Sequence, residues 1–346
     1  MVKPGVEKVK RGIILINLGS PDSTEVKDVK NYLSEFLMDE RVIDYGIVAR
    51  TLLVKGLIVP FRAAKSAEAY KTIWTDEGSP LINITRQLQN EVQKNFDVPV
   101  EIAMRYGNPS PKKAYENLLQ KVSELEEVII FPLYPHYAMS SYETAVAYMY
   151  EVYKKQGYKF NIKVVKPYYN DVLYINALAE SMQPYLQSGF DKILFSYHGI
   201  PSRHILKSDT TKTHCLKVND CCNLQSQAHN TCYRHQVFET TKLVAQKLNI
   251  PANKFEISFQ SRLGKGWLEP FTDKRLSELP AEGIKNLLIV CPAFVSDCLE
   301  TLEEIAERGK ETFMQAGGDT YKMIPCMNSN ERWVNAITQM ILKTFD

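Results

Sequence analysis

DKILFSYHGIPSRH, residues Asp191 to His204, decides the fold. Its first half is a continuous apolar run between a charged start and a Gly-Ile-Pro turn, the pattern of a strand buried on both faces of a parallel sheet. The run delivers His198 directly into that turn. Open α/β sheets bind ligands outside the carboxyl ends of their strands, so an imidazole placed there is a candidate base or metal ligand. The competing reading is a histidine satisfied by backbone alone.

The same plan recurs in NLLIVCPAFVSDCLETLEEIAER, Asn286 to Arg308, where an apolar strand ends at Cys291-Pro292 and a loop leads into an acidic helix. Glu300 and Glu304 stand at i and i+4, and Glu303 and Glu307 form a second such pair. In a helix these carboxylates line one broad side, about 6 Å apart along the axis. Such a row can hold a divalent cation or relay protons. Alternatively, Asp297 and Glu300 have capping-box spacing and the other glutamates form a solvated face.

Working outward, GIILINL (Gly12 to Leu18), VEIAMRY (Val100 to Tyr106) and VIIFPLY (Val128 to Tyr134) read as strands of a first half. KILFSYH (Lys192 to His198), FEISFQS (Phe255 to Ser261) and NLLIVCP (Asn286 to Pro292) repeat the order. In each half the third strand runs into a Pro-containing loop and a Glu-bearing helix. The expected fold is α/β: two similar Rossmann-like lobes, each a parallel sheet flanked by helices, with a ligand cleft between them. The lobes are expected to span 1–168 and 169–329, meeting near VKPYYND (Val165 to Asp171). Residues 330–346 read as an amphipathic helix able to cross back to the first lobe.

Composition narrows the class. The 346 residues are 45% hydrophobic with a net charge of +2, which suits a globular protein and argues against nucleic acid as a partner. MVKPGVEKVKRG carries no apolar run of signal-peptide length, so a cytoplasmic location is expected. No apolar run is long enough for a transmembrane helix. GIVARTLLVKGLIVPFR, Gly46 to Arg62, is apolar but interrupted by Arg50, Lys55 and Pro60. It reads either as a core helix followed by a turn, or as a greasy basic lip beside a hydrophobic substrate or an anionic membrane surface. NLGSPDS fits neither a dinucleotide fingerprint nor a phosphate loop.

Four of the seven cysteines, Cys215, Cys221, Cys222 and Cys232, fall within eighteen residues. In a cytoplasmic protein disulfides are disfavoured, which leaves a metal or cluster site or free thiols in a loop. Zinc would draw on His214, His229 or His235, although the adjacent Cys221-Cys222 pair is not a common zinc pattern. An iron–sulfur cluster normally takes four Cys.

FSYHGIPSRH, FEISFQSRLGKGWLEPFTD (Phe255 to Asp273) and CPAFVSDCLETLEEIAE resemble, in order and spacing, the ferrochelatases, which insert ferrous iron into a porphyrin. ILINLGSPDS (Ile14 to Ser23), YKTIWTDEGSPLI (Tyr70 to Ile82), AMRYGNPS (Ala103 to Ser110) and FPLYPHYAMSS (Phe131 to Ser141) extend the resemblance over nearly the whole chain. It implies a chelatase-like fold, with ferrous iron and protoporphyrin as substrates and protoheme as product. It further implies that His198 and Glu300 are the metal-binding and proton-accepting pair, with Glu303, Glu304 and Glu307 as a path for protons or iron. Arg105, Tyr106, Tyr134 and Trp267 become candidate porphyrin contacts, with Tyr137 and Phe294 as further walls. Cys298 stands where many relatives have His. The Cys segment looks like the internal segment of bacterial members that carry a 2Fe-2S cluster on Cys215, Cys221, Cys222 and Cys232. The animal ligand arrangement is excluded, because Met139 occupies its first-lobe Cys position. A coproporphyrin-using enzyme and a non-catalytic tetrapyrrole or iron–sulfur sensor are the alternatives. Peripheral membrane contact is compatible with the resemblance, and the sequence leaves the oligomeric state open.

Overall fold

The computed structural model describes residues 9–262 and 264–345. Among them, eight strands form two four-stranded sheets. The first contains β1 (Arg11–Ser20), β2 (Val100–Gly107), β3 (Glu127–Pro132) and β4 (Asn161–Val164); the second contains β5 (Lys192–His198), β6 (Phe255–Gln260), β7 (Asn286–Val290) and β8 (Thr320–Met323). Their orders are β2-β1-β3-β4 and β6-β5-β7-β8, the same plan twice, and every pairing is parallel. The two expected Rossmann-like sheets are therefore present.

The six strands read from the sequence are the longer ones, and the four central ones among them, β1, β3, β5 and β7, are almost wholly buried. Two more, NIKV and TYKM, pair only on one side and are exposed to half-buried, so they lack the apolar run that marks a central strand. Periodicity does not betray them. The segment 46–62 also departs from expectation. Instead of a helix followed by a turn at Pro60, the chain stays helical through Ile47–Thr51, Leu52–Ile58 and Val59–Ile73, the middle part being π-helical. Proline is accommodated because it falls in the first turn of the last part, where its missing N–H is not needed. Val54, Val59 and Ala63 face the core, while Val48 (71% exposed) and Phe61 (77% exposed) face outward. Arg50 is buried and donates to the carbonyls of Ile43 and Tyr45, so it belongs to the fold rather than to a basic surface.

The lobes share one core. Ile13, Leu15 and Phe131 of the first sheet pack in the same cluster as Phe195, Tyr197 and Val290 of the second. Helix Glu331–Leu342 closes it with fully buried Trp333, whose ring lies 5.8 Å from Tyr168, 6.1 Å from Tyr174 and 6.3 Å from Phe131. These tyrosines do more than fill space. Tyr168 donates to the carbonyl of Pro132 at 3.2 Å and Tyr174 to that of Pro292 at 2.7 Å, which ties down the loops leaving β3 and β7. Each of those loops runs into a π-helix, Met139–Glu143 and Glu300–Gly309. No helix among the described residues is long and apolar enough to cross a membrane.

A second tie crosses from the first lobe to the turn after His198. Asp44 accepts from Arg203 at 2.7 Å and from Lys207, both on helix Ser202–Ser208. Burial alone would push its carboxyl up, but the Lys207 and Arg203 hydrogen bonds outweigh that and hold it well below the usual range. A depressed carboxyl stabilises the fold above its unfolded value of about 3.9 and loses that contribution as pH falls toward the folded value. Asp44→Asn should cost about 1–2 kcal/mol at neutral pH and progressively less below about pH 4, by urea unfolding across pH. A cost that does not change with pH would show that the charge is not what ties the lobes.

Candidate active site and thiol cluster

Strand order positions the site. From β5 the chain steps to β6 on one side and returns to β7 on the other, so the crossovers diverge at the carboxyl ends of β5 and β7. Divergence opens a crevice at such a switch point. His198 is the last residue of β5, and the loop after β7 carries Phe294 and leads to Glu300.

His198 is half-buried, its ring 6.2 Å from that of Phe294. Its Nδ1 lies 2.7 Å from the carbonyl oxygen of Gly199. A carbonyl only accepts, so Nδ1 carries the proton and Nε2 of the neutral ring keeps its lone pair for a proton or a metal. The backbone carbonyl of His198 is held in turn by the Tyr233 hydroxyl at 3.0 Å. A side chain at Gly199 would press on the Gln260 carbonyl at 2.8 Å and the Trp267 ring at 3.4 Å, which explains the glycine. Half-buried Trp267 thus sits over the turn that presents His198.

Where the sequence reads as an α-helix, Glu300–Gly309 is π-helical, a rare form that concentrates at functional sites. The wider turn splits the expected glutamate row. Glu300 and Glu304 face inward. Glu304 accepts from the Ser261 backbone N–H at 3.0 Å and its hydroxyl at 2.6 Å. Glu303 is instead paired to Arg308 at 2.6 Å, and Glu307 is exposed. Asp297 does not form a capping box with Glu300: it is buried, accepting from Thr301 at 2.9 Å and Asn328 at 2.7 Å.

Burial pushes the Glu304 carboxyl up; the Ser261 hydrogen bonds oppose the shift, Glu300 adds to it and His198 opposes it. Glu304 therefore lies in the electrostatic reach of both His198 and Glu300. Ser261 holds it from a left-handed backbone, φ 62°, a cost that the surrounding structure must offset. Ser261 ends the FEISFQS run, a place that gives it no role in the sequence; its two hydrogen bonds to Glu304 do.

Glu300 also faces the first lobe across a cavity lined by Ser20, Tyr32, Tyr70 and Cys298. Burial, reinforced by Glu300, raises the Cys298 thiol well above its ordinary value, so it stays neutral beside the carboxylate. Tyr32 and Tyr70 are raised by burial in the same way and stay neutral hydroxyls. Tyr134 is buried with a hydroxyl that has no partner.

Arg105 and Tyr106, the expected porphyrin contacts, meet at Asp39. Tyr106 is wholly buried, its hydroxyl donating to Asp39 at 2.9 Å. Arg105 is ion-paired with Asp39, donates to Thr144 at 2.7 Å and lies 4.3 Å from the rings of both Tyr106 and Tyr148. Both residues are committed to a buried network. Tyr137 likewise gives its hydroxyl to Glu143.

Cys215, Cys221, Cys222 and Cys232 are all buried free thiols. Cys215 and Cys222 each lie within hydrogen-bonding reach of Cys232, and Cys215 interacts with Cys221 and Cys222. Leu216 N–H donates to Cys221 Sγ at 3.4 Å and Arg234 to Cys222 Sγ at 3.0 Å. Donors aimed at sulfur are what ligating thiolates use, so the donor set fits an iron–sulfur group. As the side chains stand, no group of three or more His, Cys, Asp or Glu among the described residues is arranged to hold a single metal ion.

The ferrochelatase family model matches residues 10–345. A ferrochelatase of Opitutus terrae is 47% identical over 335 residues, 96% of each chain, and one of Stutzerimonas stutzeri is 44% identical over 334 residues, 96% of this chain and 97% of its own. Among solved structures, the sirohydrochlorin chelatase SirB of Bacillus subtilis subspecies spizizenii, in complex with cobalt, superimposes with a TM-score of 0.55 at 11% identity, covering 97% of this chain and 95% of its own, which shows a shared fold. The chain belongs to the ferrochelatase family.

Proposed function

We propose that this protein inserts ferrous iron into protoporphyrin IX to give protoheme, with His198 and Glu300 as the metal-binding and proton-accepting pair. The observation that carries the assignment of the pair is the tautomer of His198: with Nδ1–H given to Gly199, its Nε2 lone pair is free at the mouth of the cleft. Metallation removes two pyrrole protons and replaces them with iron. Imidazole nitrogen and carboxylate oxygen are suitable ligands for ferrous iron and suitable proton acceptors. Glu300 supplies the carboxylate facing the first lobe. Glu304, anchored by Ser261, is the next acceptor on the inward side, and Glu303 and Glu307 continue the path outward, where Arg308 and solvent meet them. Trp267, Tyr134 and Phe294 are the apolar walls for the macrocycle, and Arg105 and Tyr106 support them from the buried Asp39 network.

The outward row Ile47, Val48, Leu52, Leu57 and Phe61, with exposed Lys55, Arg62 and Lys65 beside it, supports a reading as a lip on an anionic membrane surface. The same helical run carries Tyr70 and Ile73 into the cavity of Glu300, so a membrane-borne porphyrin would meet the lip first. Cys215, Cys221, Cys222 and Cys232 would hold a 2Fe-2S cluster, which supplies one-electron redox chemistry when bound; iron insertion itself transfers no electrons.

Anaerobic metallation of protoporphyrin by ferrous iron, followed by absorbance, tests the pair. His198→Ala and Glu300→Gln should each slow the reaction by about 10²-fold or more; a folded variant that keeps a tenth of the activity overturns its role. Ser261→Ala removes a hydrogen bond to ionised Glu304, so the acidic limb of the pH–rate profile should move up by about one unit, and an unmoved limb removes Glu304 from the path. For the lip, a Leu57→Ser/Phe61→Ser double variant should sediment with vesicles containing anionic lipid roughly tenfold more weakly, and unaltered sedimentation excludes it. Protein purified without oxygen should contain iron and acid-labile sulfide in equal amounts; zinc, or iron without sulfide, refutes the cluster.

A further inference from the structure

The Cys segment has almost no regular structure to hold it. Residues 209–226 form turns and bends, and Lys212, Leu216 and Asp220 sit at φ 61°, 59° and 56°, left-handed positions that are unfavourable for residues with a Cβ. Hydrogen bonds must hold such a loop, and two sets of them fix the two ends of the thiol run. The buried Asp209 carboxylate accepts from the backbone N–H groups of Thr211, His214 and Cys215 at 2.8, 2.9 and 2.9 Å, which fixes the Cys215 end.

The other end is fixed by imidazoles. His214 Nε2 and His229 Nε2 lie 2.7 and 2.9 Å from the carbonyl oxygen of Cys221, and His235 Nδ1 lies 2.7 Å from that of Cys222. Carbonyls only accept, so all three rings donate, and both lone pairs of the Cys221 oxygen are used. The rings of His229 and His235 stack at 3.6 Å with 7° between their planes, and His214 meets His229 edge-on at 5.3 Å. Three of the six histidines of the chain are thus gathered on two consecutive peptide carbonyls. Their free nitrogens do not converge on a metal position with neighbouring His, Cys, Asp or Glu among the described residues.

We propose that His214, His229 and His235 are positioning residues, a backbone clamp that holds Cys221 and Cys222 against helix Tyr233–Lys247 so that their thiols meet Cys215 and Cys232. His235 lies on that helix and Cys232 immediately precedes its first residue, so the clamp connects the loop to the element beside the fourth thiol. Histidine suits the task because a flat ring gives one donor while packing face to face with its neighbour. The clamp's importance for a cluster rests on the iron–sulfur reading; its hold on the thiols does not.

The test uses the full chain and its His229→Leu, His235→Leu and His235→Asn variants, the last of which keeps an N–H donor. In metal-free protein, maleimide labelling of Cys221 and Cys222, followed site by site by mass spectrometry, should quicken roughly fivefold for each hydrogen bond lost. Cys291 and Cys298, buried elsewhere, should label as in the parent chain, and His235→Asn should restore part of the protection. After anaerobic loading with ferrous iron and sulfide, the leucine variants should lose visible absorbance faster than the parent. Should the parent take up no iron and sulfide, the cluster reading falls and the labelling alone decides the clamp. Unchanged labelling in folded variants overturns it. If His235→Leu does not fold, His214→Leu, which removes only one of two donors to the Cys221 carbonyl, decides by the same measurement.

Discussion

The hydrogen bond from Tyr174 to the carbonyl of Pro292 fixes the place where the sheet stops and the active loop begins. Proline ends β7's ladder because it has no N–H, so its carbonyl and those that follow need partners from outside the sheet. The tyrosine provides one from the core shared by the two lobes, and Trp333 packs against its ring. The first lobe uses Tyr168 on Pro132 for the same purpose. Both loops then continue into π-helices, so the internal repeat includes the mechanism that anchors the loop as well as the strand order.

The π-helix explains why the glutamates of one segment play different parts. On an α-helix, Glu300, Glu303, Glu304 and Glu307 would share a broad side and repel one another. In the wider helix Glu300 and Glu304 turn inward, and Arg308 neutralises Glu303 on the outer side. Two inward carboxylates still oppose each other, and burial makes the conflict worse. Ser261 relieves it by giving Glu304 two hydrogen bonds, and His198 nearby adds a favourable partner. The neighbouring Cys298, Tyr32 and Tyr70 stay neutral, so they add no further negative charge to the cavity wall.

The layout of the fold was legible because a central parallel strand is apolar along its whole length, as β1, β3 and β5 are. The edge strands NIKV and TYKM were not, since each is only four residues long and half-exposed, whereas the other edge strands, β2 and β6, are longer and more buried. His198 was legible from its position at the end of an apolar run. Arg105 and Tyr106 stand in a motif shared with the family, and a motif does not tell which partners hold its side chains. Their bonds to Asp39 span 66 and 67 positions in sequence, which no local pattern reveals. Ser261 and the three histidines are of the same kind, since their roles lie in contacts to backbone atoms and to a distant carboxylate.

The thiol segment and the proposed metallation site are joined by a short mechanical path. Cys232 immediately precedes helix Tyr233–Lys247, and the first residue of that helix, Tyr233, donates its hydroxyl to the carbonyl of His198. Whatever displaces Cys232 moves the start of the helix, and through one hydrogen bond it moves the end of β5. The Nδ1–H bond to Gly199 depends on that same backbone, so the tautomer of His198 is set only while the turn keeps its shape. Ordering of the cysteines therefore bears on the geometry of the proposed proton acceptor without any electron passing between them.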